Sequence, residues 1–231
     1  MFLWFNEIIM THIVHPYIHR LGIIRGWKSR WFGIKSNYSE MLKSDVLIRE
    51  YLEKILRNNY VSSIETERNQ KYLKIIIKTS RPGVIIGRSG DGAVKLKNQI
   101  DKFVKKNNLM TAGEIKIDID EIKSPESDAN IVLQMAREGL EKRLPFRQVL
   151  KQTIEKVMAN RDVLGVRIKL SGRLGGSEMA RKEEIKKGRI PLQTFRADID
   201  FAKGSAKLPY GAIGIKVWIY KGEVFPENKR A

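Results

Sequence analysis

The chain contains no cysteine in its 231 residues, which excludes disulfides, thiolate metal sites and a cysteine nucleophile. Histidine is also scarce, because only His12, His15 and His19 occur, all near the N-terminus. Their spacing could hold a metal ion, but Glu7 is the only carboxylate nearby, so we interpret them as surface or RNA-contacting histidines. The sequence therefore predicts neither a metal site nor a cofactor.

Long apolar runs are absent as well. None approaches the roughly 18 to 20 residues that a membrane span needs, so no membrane partner is expected. Residues 1–9 are mostly apolar, but they include Glu7 and lack a basic region, which makes them a poor signal peptide. We interpret residues 1–9 as an extension and Met10 as the initiator.

The sequence also lacks a set of residues typical of an active site. After Gly83 it reads Gly87-Arg88-Ser89, where a P-loop requires Gly-Lys-Ser or Gly-Lys-Thr. One alternative remains open, a magnesium-dependent nuclease using the carboxylates of Asp118, Asp120 and Glu121. Asp118 and Asp120 alternate with isoleucines, however, which is typical of the wet face of a strand. The sequence therefore favours a protein that is not an enzyme.

Basic residues are in large excess, with 44 lysines and arginines against 26 acidic residues and a formal net charge of +18. A compact fold with this charge repels itself, which indicates a polyanionic partner, and nucleic acid is the first candidate. An anionic membrane surface is second, but no long basic amphipathic helix with a broad apolar face supports it. The hydrophobic content of 42% is ordinary for a folded protein, and the length suits two domains.

Residues 10–43 are predicted to form an irregular arm in which aromatic and basic residues are interleaved. Such a mixture can stack on bases and pair with phosphates. The alternative is that the rings dock on the protein's own core. Both interpretations stay open.

Residues 44–122 follow the order helix, strand, strand, short helix, G-x-x-G, helix, strand. Ser44 is the expected N-cap of the first helix. The G-x-x-G comprises Gly87, Arg88, Ser89 and Gly90, and its bare backbone would let a sugar-phosphate chain approach closely. The motif alone also fits an ordinary glycine turn. The whole order resembles that of a type II (prokaryotic) KH domain, an RNA-binding fold.

Residues 123–224 predict a second α+β domain of two helices and a three-stranded antiparallel sheet. Ser124 is the expected N-cap of the first helix, which would run to about Leu144, and the second helix would span 146–160. Strands are predicted near 166–170, 197–201 and 213–219, while 181–189 appears only as a polar segment. The tail, 225–231, is polar and short.

The second helix carries basic residues on one face. Arg147 and Lys151 lie one turn apart, close to Arg143, and like charges at that spacing cost an isolated helix roughly 0.2–0.5 kcal/mol. An RNA phosphate would relieve that penalty. The alternative is a solvated face on which Glu155 compensates Lys151.

The sequence S-G-R-L-G-G-S-E-M-A-R at 171–181 closely resembles a signature of the small-subunit ribosomal protein three family. The similarity continues through 188–200 and 214–219. In the arm, Val14-His15-Pro16 and Arg20-Leu21-Gly22-Ile23 are similar to the N-terminus of bacterial members. The resemblance covers Met10 to about Val224 and points to the bacterial or organellar branch.

This resemblance implies a structural protein of the small ribosomal subunit that binds the rRNA of the head and flanks the mRNA entrance channel. Ribosomal proteins ten and fourteen would be tight partners, with proteins two, four and five as neighbours, in a cytoplasmic or an organellar ribosome. The implied RNA contacts are the KH loop at 87–90, an mRNA-entrance face of Arg143, Arg147 and Lys151, and further rRNA contacts at Arg20, Trp27, Arg173, Arg181 and Arg189.

Three positions depart from the family pattern. Gln148 stands where many bacterial members have a second arginine, so a weaker grip on message is expected. Ser89 follows Arg88 where a doubly basic pair is common, and Ile18 replaces a frequent glycine. A free-standing KH RNA chaperone or RNA-processing factor is the alternative function, although the signature in the second domain argues against it.

Overall fold

A computed structural model of the chain describes residues 14–69, 71–110 and 113–225. The predicted extension, 1–9, the beginning of the arm and nearly all of the predicted tail lie outside the described residues. The described part forms two α+β units joined by the arm and by a hydrogen-bonded interface.

The arm is more regular than the sequence predicts. It contains a short helix, α1 (Pro16–His19), and a short strand, β1 (Ser29–Arg30), before the long helix α2 (Lys35–Ile55) begins. The predicted helix start at Ser44 is therefore wrong. Ser44 lies buried inside α2, where its hydroxyl donates to the carbonyl of Met41 at 2.8 Å and accepts from Arg68 at 2.6 Å. The observed start has no side-chain cap, so the sequence carries no capping signal for it.

The first unit has the element order that the sequence predicts. After α2 come β2 (Val61–Arg68), β3 (Tyr72–Thr79), α3 (Pro82–Ile86), a 3₁₀ turn (Arg88–Gly90), α4 (Asp91–Lys106) and β4 (Glu114–Glu121). The sheet order is β1-β2-β3-β4, with β2 and β3 antiparallel and the two outer pairs parallel. Alternate residues of β3 point into the core, and Ile75 and Ile77 are fully buried against Leu52 and Ile100.

The second unit packs two helices on one face of an antiparallel sheet. Its elements are a 3₁₀ turn (Pro125–Ser127), α5 (Ala129–Glu141), α6 (Phe146–Ala159), β5 (Gly165–Gly172), a 3₁₀ turn (Leu174–Gly176), β6 (Arg181–Gly188), β7 (Ala197–Leu208) and β8 (Gly211–Glu223). The strand order is β6-β5-β8-β7.

The predicted α+β class is confirmed, but the predicted three strands are four. The additional strand, β6, occupies the segment that the sequence presents only as polar. It pairs with β5 from Gly172↔Arg181 to Gly165↔Gly188, yet only Ile185 packs against the core. As an edge strand it needs little apolar alternation, and its many charges are typical of an edge that resists further pairing.

The first helix of this unit also begins later than predicted. Asp128 rather than Ser124 is its N-cap, because an oxygen of the Asp128 carboxylate accepts from the backbone N–H of Asn130 at 2.9 Å and of Ile131 at 3.3 Å. Ser124 instead bonds Ser127 within the preceding 3₁₀ turn. The helix ends at Glu141, before the predicted Leu144.

The arm covers the sheet face opposite the helices. His15 meets the ring of Phe201 edge-on at 4.6 Å between centroids, and His19 stacks on Phe195 at 4.3 Å. Beneath them lies a second small core that includes Ile199. These contacts support the interpretation in which part of the arm docks on the protein itself.

Helix α5 joins the two units. The side-chain amide of Asn130 donates to the carbonyl of Ser62 at 2.7 Å, and that of Gln134 donates to the carbonyl of Val61 at 2.8 Å. Farther along the helix, Glu141 pairs with Arg57 at 3.2 Å. Directional bonds of this kind fix the orientation of one unit relative to the other.

Candidate nucleic-acid interface

The G-x-x-G forms an exposed turn between α3 and α4. Three of its residues have a positive φ: Gly87 at 71°, Ser89 at 55° and Gly90 at 86°. A glycine just after it is required by packing, because a Cβ on Gly92 would lie 2.4 Å from the carbonyl oxygen of Ile85. The two helices therefore meet backbone to backbone, and the turn projects from their junction. Its bare backbone is exposed at this junction, as a close approach by a sugar-phosphate chain would require.

The charge of this turn is modest. Arg88 is exposed and is its only basic residue, while Asp91 opens the first turn of α4. The N-terminus of a helix attracts anions, but the carboxylate of Asp91 already neutralises part of the positive helix dipole there. The loop can hold backbone phosphate by its shape and one guanidinium, so it needs help from elsewhere to bind RNA tightly.

The junction of α5 and α6 carries the predicted mRNA-entrance face. Arg143, Arg147 and Lys151 are all exposed, and Arg143 sits in the left-handed region with φ 61° just beyond the end of α5. Arg147 is 71% exposed and has one long contact, 3.4 Å, to the carboxylate of Glu183. The alternative in which Glu155 compensates Lys151 is not supported, because no ion pair between them forms in this described part of the chain.

The structure adds Arg181 to this face. Its guanidinium lies 5.7 Å from the centroid of the Phe146 ring, and that of Arg147 lies 5.6 Å from the same ring. Arg181 belongs to β6, the strand missing from the sequence-based prediction. Its position next to α6 could therefore not be predicted from the sequence. Arg181 thus joins the three predicted entrance residues on one surface, which we call the α6 basic face: Arg143, Arg147, Lys151 and Arg181.

The remaining predicted contacts lie apart. Trp27 in the arm is 68% exposed and therefore offers a free ring. Arg189 is exposed at the end of β6. Arg173 is half-buried, with Nε donating to the carbonyl of Ser177 at 2.9 Å and its guanidinium 5.5 Å from the centroid of the Tyr210 ring. Tyr210, which the sequence did not single out, is the aromatic residue added to the interface by the β7–β8 hairpin.

The prediction that Arg20 contacts RNA is contradicted, because its side chain is fully buried. Nε donates to the carbonyl of Ala197 at 2.6 Å, and one terminal nitrogen donates to the carbonyls of Leu192 and Thr194 at 2.9 Å each. Burial lowers the pKa of the guanidinium, an effect that the charge of Asp198 opposes. Arg20 fastens the arm to the second unit.

The carboxylates weighed for a nuclease lie together on the first unit. Asp118 pairs with the ammonium of Lys74 at 2.7 Å, and Asp118, Asp120 and Glu121 lie on exposed positions of β4. No group of three or more metal-ligating residues occurs within the described ranges, and His12 lies outside them. None of the helices in those ranges is long and apolar enough to cross a membrane.

Comparisons with known proteins match both units. Residues 47–127 match the KH domain family, and residues 136–219 match the family described as ribosomal protein S3, C-terminal domain. The chain is 44% identical over 223 residues to the small ribosomal subunit protein uS3 of Clostridium botulinum (strain Okra / Type B1), which covers 95% of this chain and 96% of that protein. It is 43% identical over 221 residues to the uS3 of Desulforamulus reducens, with 96% of each chain covered. Both resemblances drawn from the sequence are confirmed.

Proposed function

This chain belongs to the family of small ribosomal subunit protein uS3, and we propose from that membership that it binds rRNA in the head of the subunit and flanks the mRNA entrance channel. As a uS3 protein it is a structural, RNA-binding component of the small ribosomal subunit and not an enzyme. Small-subunit rRNA and other ribosomal proteins are accordingly its partners. The finer assignments below are proposals about how this chain performs that role.

The observation that carries the proposal is the α6 basic face. Three of its four cations come from the α5–α6 junction and one from β6, so two separate elements converge on one ring, that of Phe146. Only one carboxylate, that of Glu183, approaches these cations within ion-pair distance among the residues described. An exposed cluster with so little internal neutralisation suits a phosphate backbone.

We assign message contact to Arg143, Arg147 and Lys151. Exposed basic side chains on a helix contact phosphates and do not recognise particular bases. This suits a message strand that moves past the protein whatever its sequence. Gln148 is also exposed and uncharged, so this chain offers one cation fewer along the helix than relatives with a second arginine there. We therefore infer a weaker contribution to unwinding of structured message.

We assign rRNA contact to the KH loop at 87–90 and to Trp27, Arg173, Arg181 and Arg189. The loop supplies a close backbone approach, Trp27 supplies an exposed ring for stacking, and the arginines supply charge. Because α5 fixes the two units through hydrogen bonds, these contacts would act together on one folded RNA rather than independently. Arg20 is removed from this group by its burial.

We further propose ribosomal proteins ten and fourteen as tight neighbours, with proteins two, four and five nearby, in a cytoplasmic ribosome. Exposed apolar residues at the end of the arm, just before α2, support a protein neighbour there: Phe32 is 88% exposed and Ile34 is 70% exposed. Exposed apolar side chains that lie together mark sites of protein–protein interaction.

The message assignment is tested by assembling small subunits with the double variant Arg147→Ala/Lys151→Ala. Translating ribosomes that carry it should pause longer at a structured message, because two cations that grip the incoming strand are gone. The free protein should bind single-stranded RNA with a salt slope reduced by about 1.4, since each lost phosphate contact removes roughly 0.7.

The matched control is Lys102→Ala/Lys106→Ala, which removes two exposed lysines one turn apart on α4. It carries the same loss of charge away from the proposed message path. Unchanged pausing in the Arg147→Ala/Lys151→Ala ribosomes, or equal pausing in the control, would contradict the assignment to this face.

A further inference from the structure

A pocket of about 490 Å³ opens beside the α6 basic face. Its walls come from three places: the junction of α5 and α6, the 3₁₀ turn after β5, and the hairpin between β7 and β8. A volume of this size falls within the range of sites that hold small ligands or single nucleotides. None of the contacts assigned above requires such a cavity, so the pocket needs its own explanation.

Two rings and two guanidinium groups line the pocket. Phe146 stands at the start of α6, and Tyr210 at the hairpin tip, where it is 65% exposed. Arg143 and Arg173 also line it, and Arg173 lies 5.5 Å from the centroid of the Tyr210 ring. The lining contains no aspartate or glutamate. The cavity is therefore aromatic, apolar and positively charged, without an internal counter-ion.

A double-glycine turn borders the pocket beside the two rings. Gly175 and Gly176 have φ values of 69° and 81°, a region that favours glycine. A Cβ on Gly175 would lie 3.8 Å from the Phe146 ring, and one on Gly176 would lie 3.7 Å from the Tyr210 ring. The bare backbone of the turn thus runs in contact range of both rings and forms one side of the pocket.

We propose that this pocket receives one unstacked nucleobase of an RNA strand that runs along the α6 basic face. The inference rests on the proposed RNA-binding function and deepens it, because it adds a binding site for a base beside the α6 basic face, which otherwise binds phosphate. Tyr210 provides the stacking platform, with Arg173 fixed beside it. Arg143 lies at the rim, where it can neutralise the phosphate of the seated nucleotide.

Charge decides between a nucleobase and an apolar side chain of a neighbouring protein. An apolar side chain would leave Arg143 and Arg173 without an anionic partner, although Arg173 keeps its bond to the carbonyl of Ser177. A nucleotide fits both the aromatic cavity and the cations beside it, because its base fills the cavity and its phosphate pairs with the guanidiniums. The pocket is also continuous with the α6 basic face through Phe146, whose ring lies close to Arg147 and Arg181.

The test uses the full-length protein and two fluorescein-labelled single strands of equal length, oligouridylate and an abasic ribose-phosphate chain, in fluorescence anisotropy. The wild type should bind oligouridylate more tightly, on the order of 10-fold, because stacking on an aromatic platform is worth about 1–3 kcal/mol per base and 1.4 kcal/mol is a factor of ten. Tyr210→Ala should lose most of that difference, whereas Tyr210→Phe, which keeps the ring, should retain it.

The dependence on salt separates this inference from the proposed function. Tyr210→Ala should lower affinity without changing the slope of log affinity against log salt, because no phosphate contact is lost. Arg147→Ala/Lys151→Ala should instead reduce the slope. Melting temperatures of the Tyr210 variants verify that the fold is kept, and the comparison of the two strands on the wild type does not depend on any variant.

Equal binding of the two strands by the wild type would overturn the base-binding pocket, even if the salt slope still supports the basic face. A folded Tyr210→Ala protein with wild-type affinity for oligouridylate would do the same. If that variant binds RNA normally but enters small subunits poorly, the pocket holds a side chain of a protein neighbour and the inference is wrong.

Discussion

Replacement of Arg20 tests how the arm is attached to the second unit, because the buried Arg20 guanidinium donates only to backbone carbonyls of the protein. Its guanidinium donates to carbonyls of Pro16, Leu192, Thr194 and Ala197, with three bonds shorter than 3.0 Å at 2.6, 2.9 and 2.9 Å. Arg20→Met keeps most of the side-chain length and removes every one of these donors. The carbonyls would remain buried by the arm without a partner.

The expected cost follows from the number of bonds. A hydrogen bond to a charged group contributes roughly 1.5–3 kcal/mol, and all the acceptors here are neutral backbone carbonyls. Removal of the guanidinium also relieves its own desolvation, which offsets part of the loss. We therefore expect Arg20→Met to lower the free energy of unfolding by roughly 3 kcal/mol, within the range of a broken buried network.

Urea unfolding followed by tryptophan fluorescence measures this change, with Arg189→Met as the matched control. Arg189 is exposed, so its replacement should alter stability by no more than about 0.5 kcal/mol. Limited proteolysis should cut the arm of Arg20→Met faster than that of the control. Equal stability of the two variants would refute the structural role of Arg20 and return it to the set of candidate RNA contacts.

Two further variants test the KH loop and a buried carboxylate. Gly92→Ala forces a Cβ to within 2.4 Å of the carbonyl oxygen of Ile85, so KH-loop RNA affinity should fall, whereas Gly83→Ala, which meets nothing within 4 Å, should bind normally in the same anisotropy assay. Burial and the charge of Asp200 raise the pKa of Asp128. Because the folded state then takes up this proton before the unfolded state, the wild type gains stability relative to Asp128→Asn as the pH falls from 7 toward 4. Calorimetric Tm values that show a constant difference over that window would contradict the raised pKa.

The sequence predicts most of the fold where local pattern and packing agree. In β3, the β-branched run from Ile75 to Ile77 favours a strand, and Ile75 and Ile77 are buried in the core as a strand at this place requires. The edge strand β6 was missed because only Ile185 faces the core, and its strand character depends on pairing with β5. The early start of α2 was missed because no capping residue marks it. The local sequence pattern therefore predicts an element only where that pattern, rather than pairing with a distant segment, determines its structure.

The candidate interface is predictable to a lesser degree. The helix spacing alone predicts that Arg147 and Lys151 share a face, and the structure keeps both exposed. Arg20 reads in the sequence like any other arginine of a basic arm, and its burial depends on carbonyls more than 170 residues away in the chain, such as that of Ala197. Tyr210 likewise meets Arg173 only after the hairpin folds over the β5 turn. Contacts of that range require the three-dimensional structure.

Sedimentation tests the central claim most directly. Cells that express the chain with a C-terminal tag are lysed, and the lysate is separated on a sucrose gradient. If the chain is a structural component of the small ribosomal subunit, the tag should sediment with that subunit and with translating ribosomes, in a constant ratio to small-subunit rRNA. A folded, expressed protein that stays in the free fractions at the top of the gradient would contradict the account.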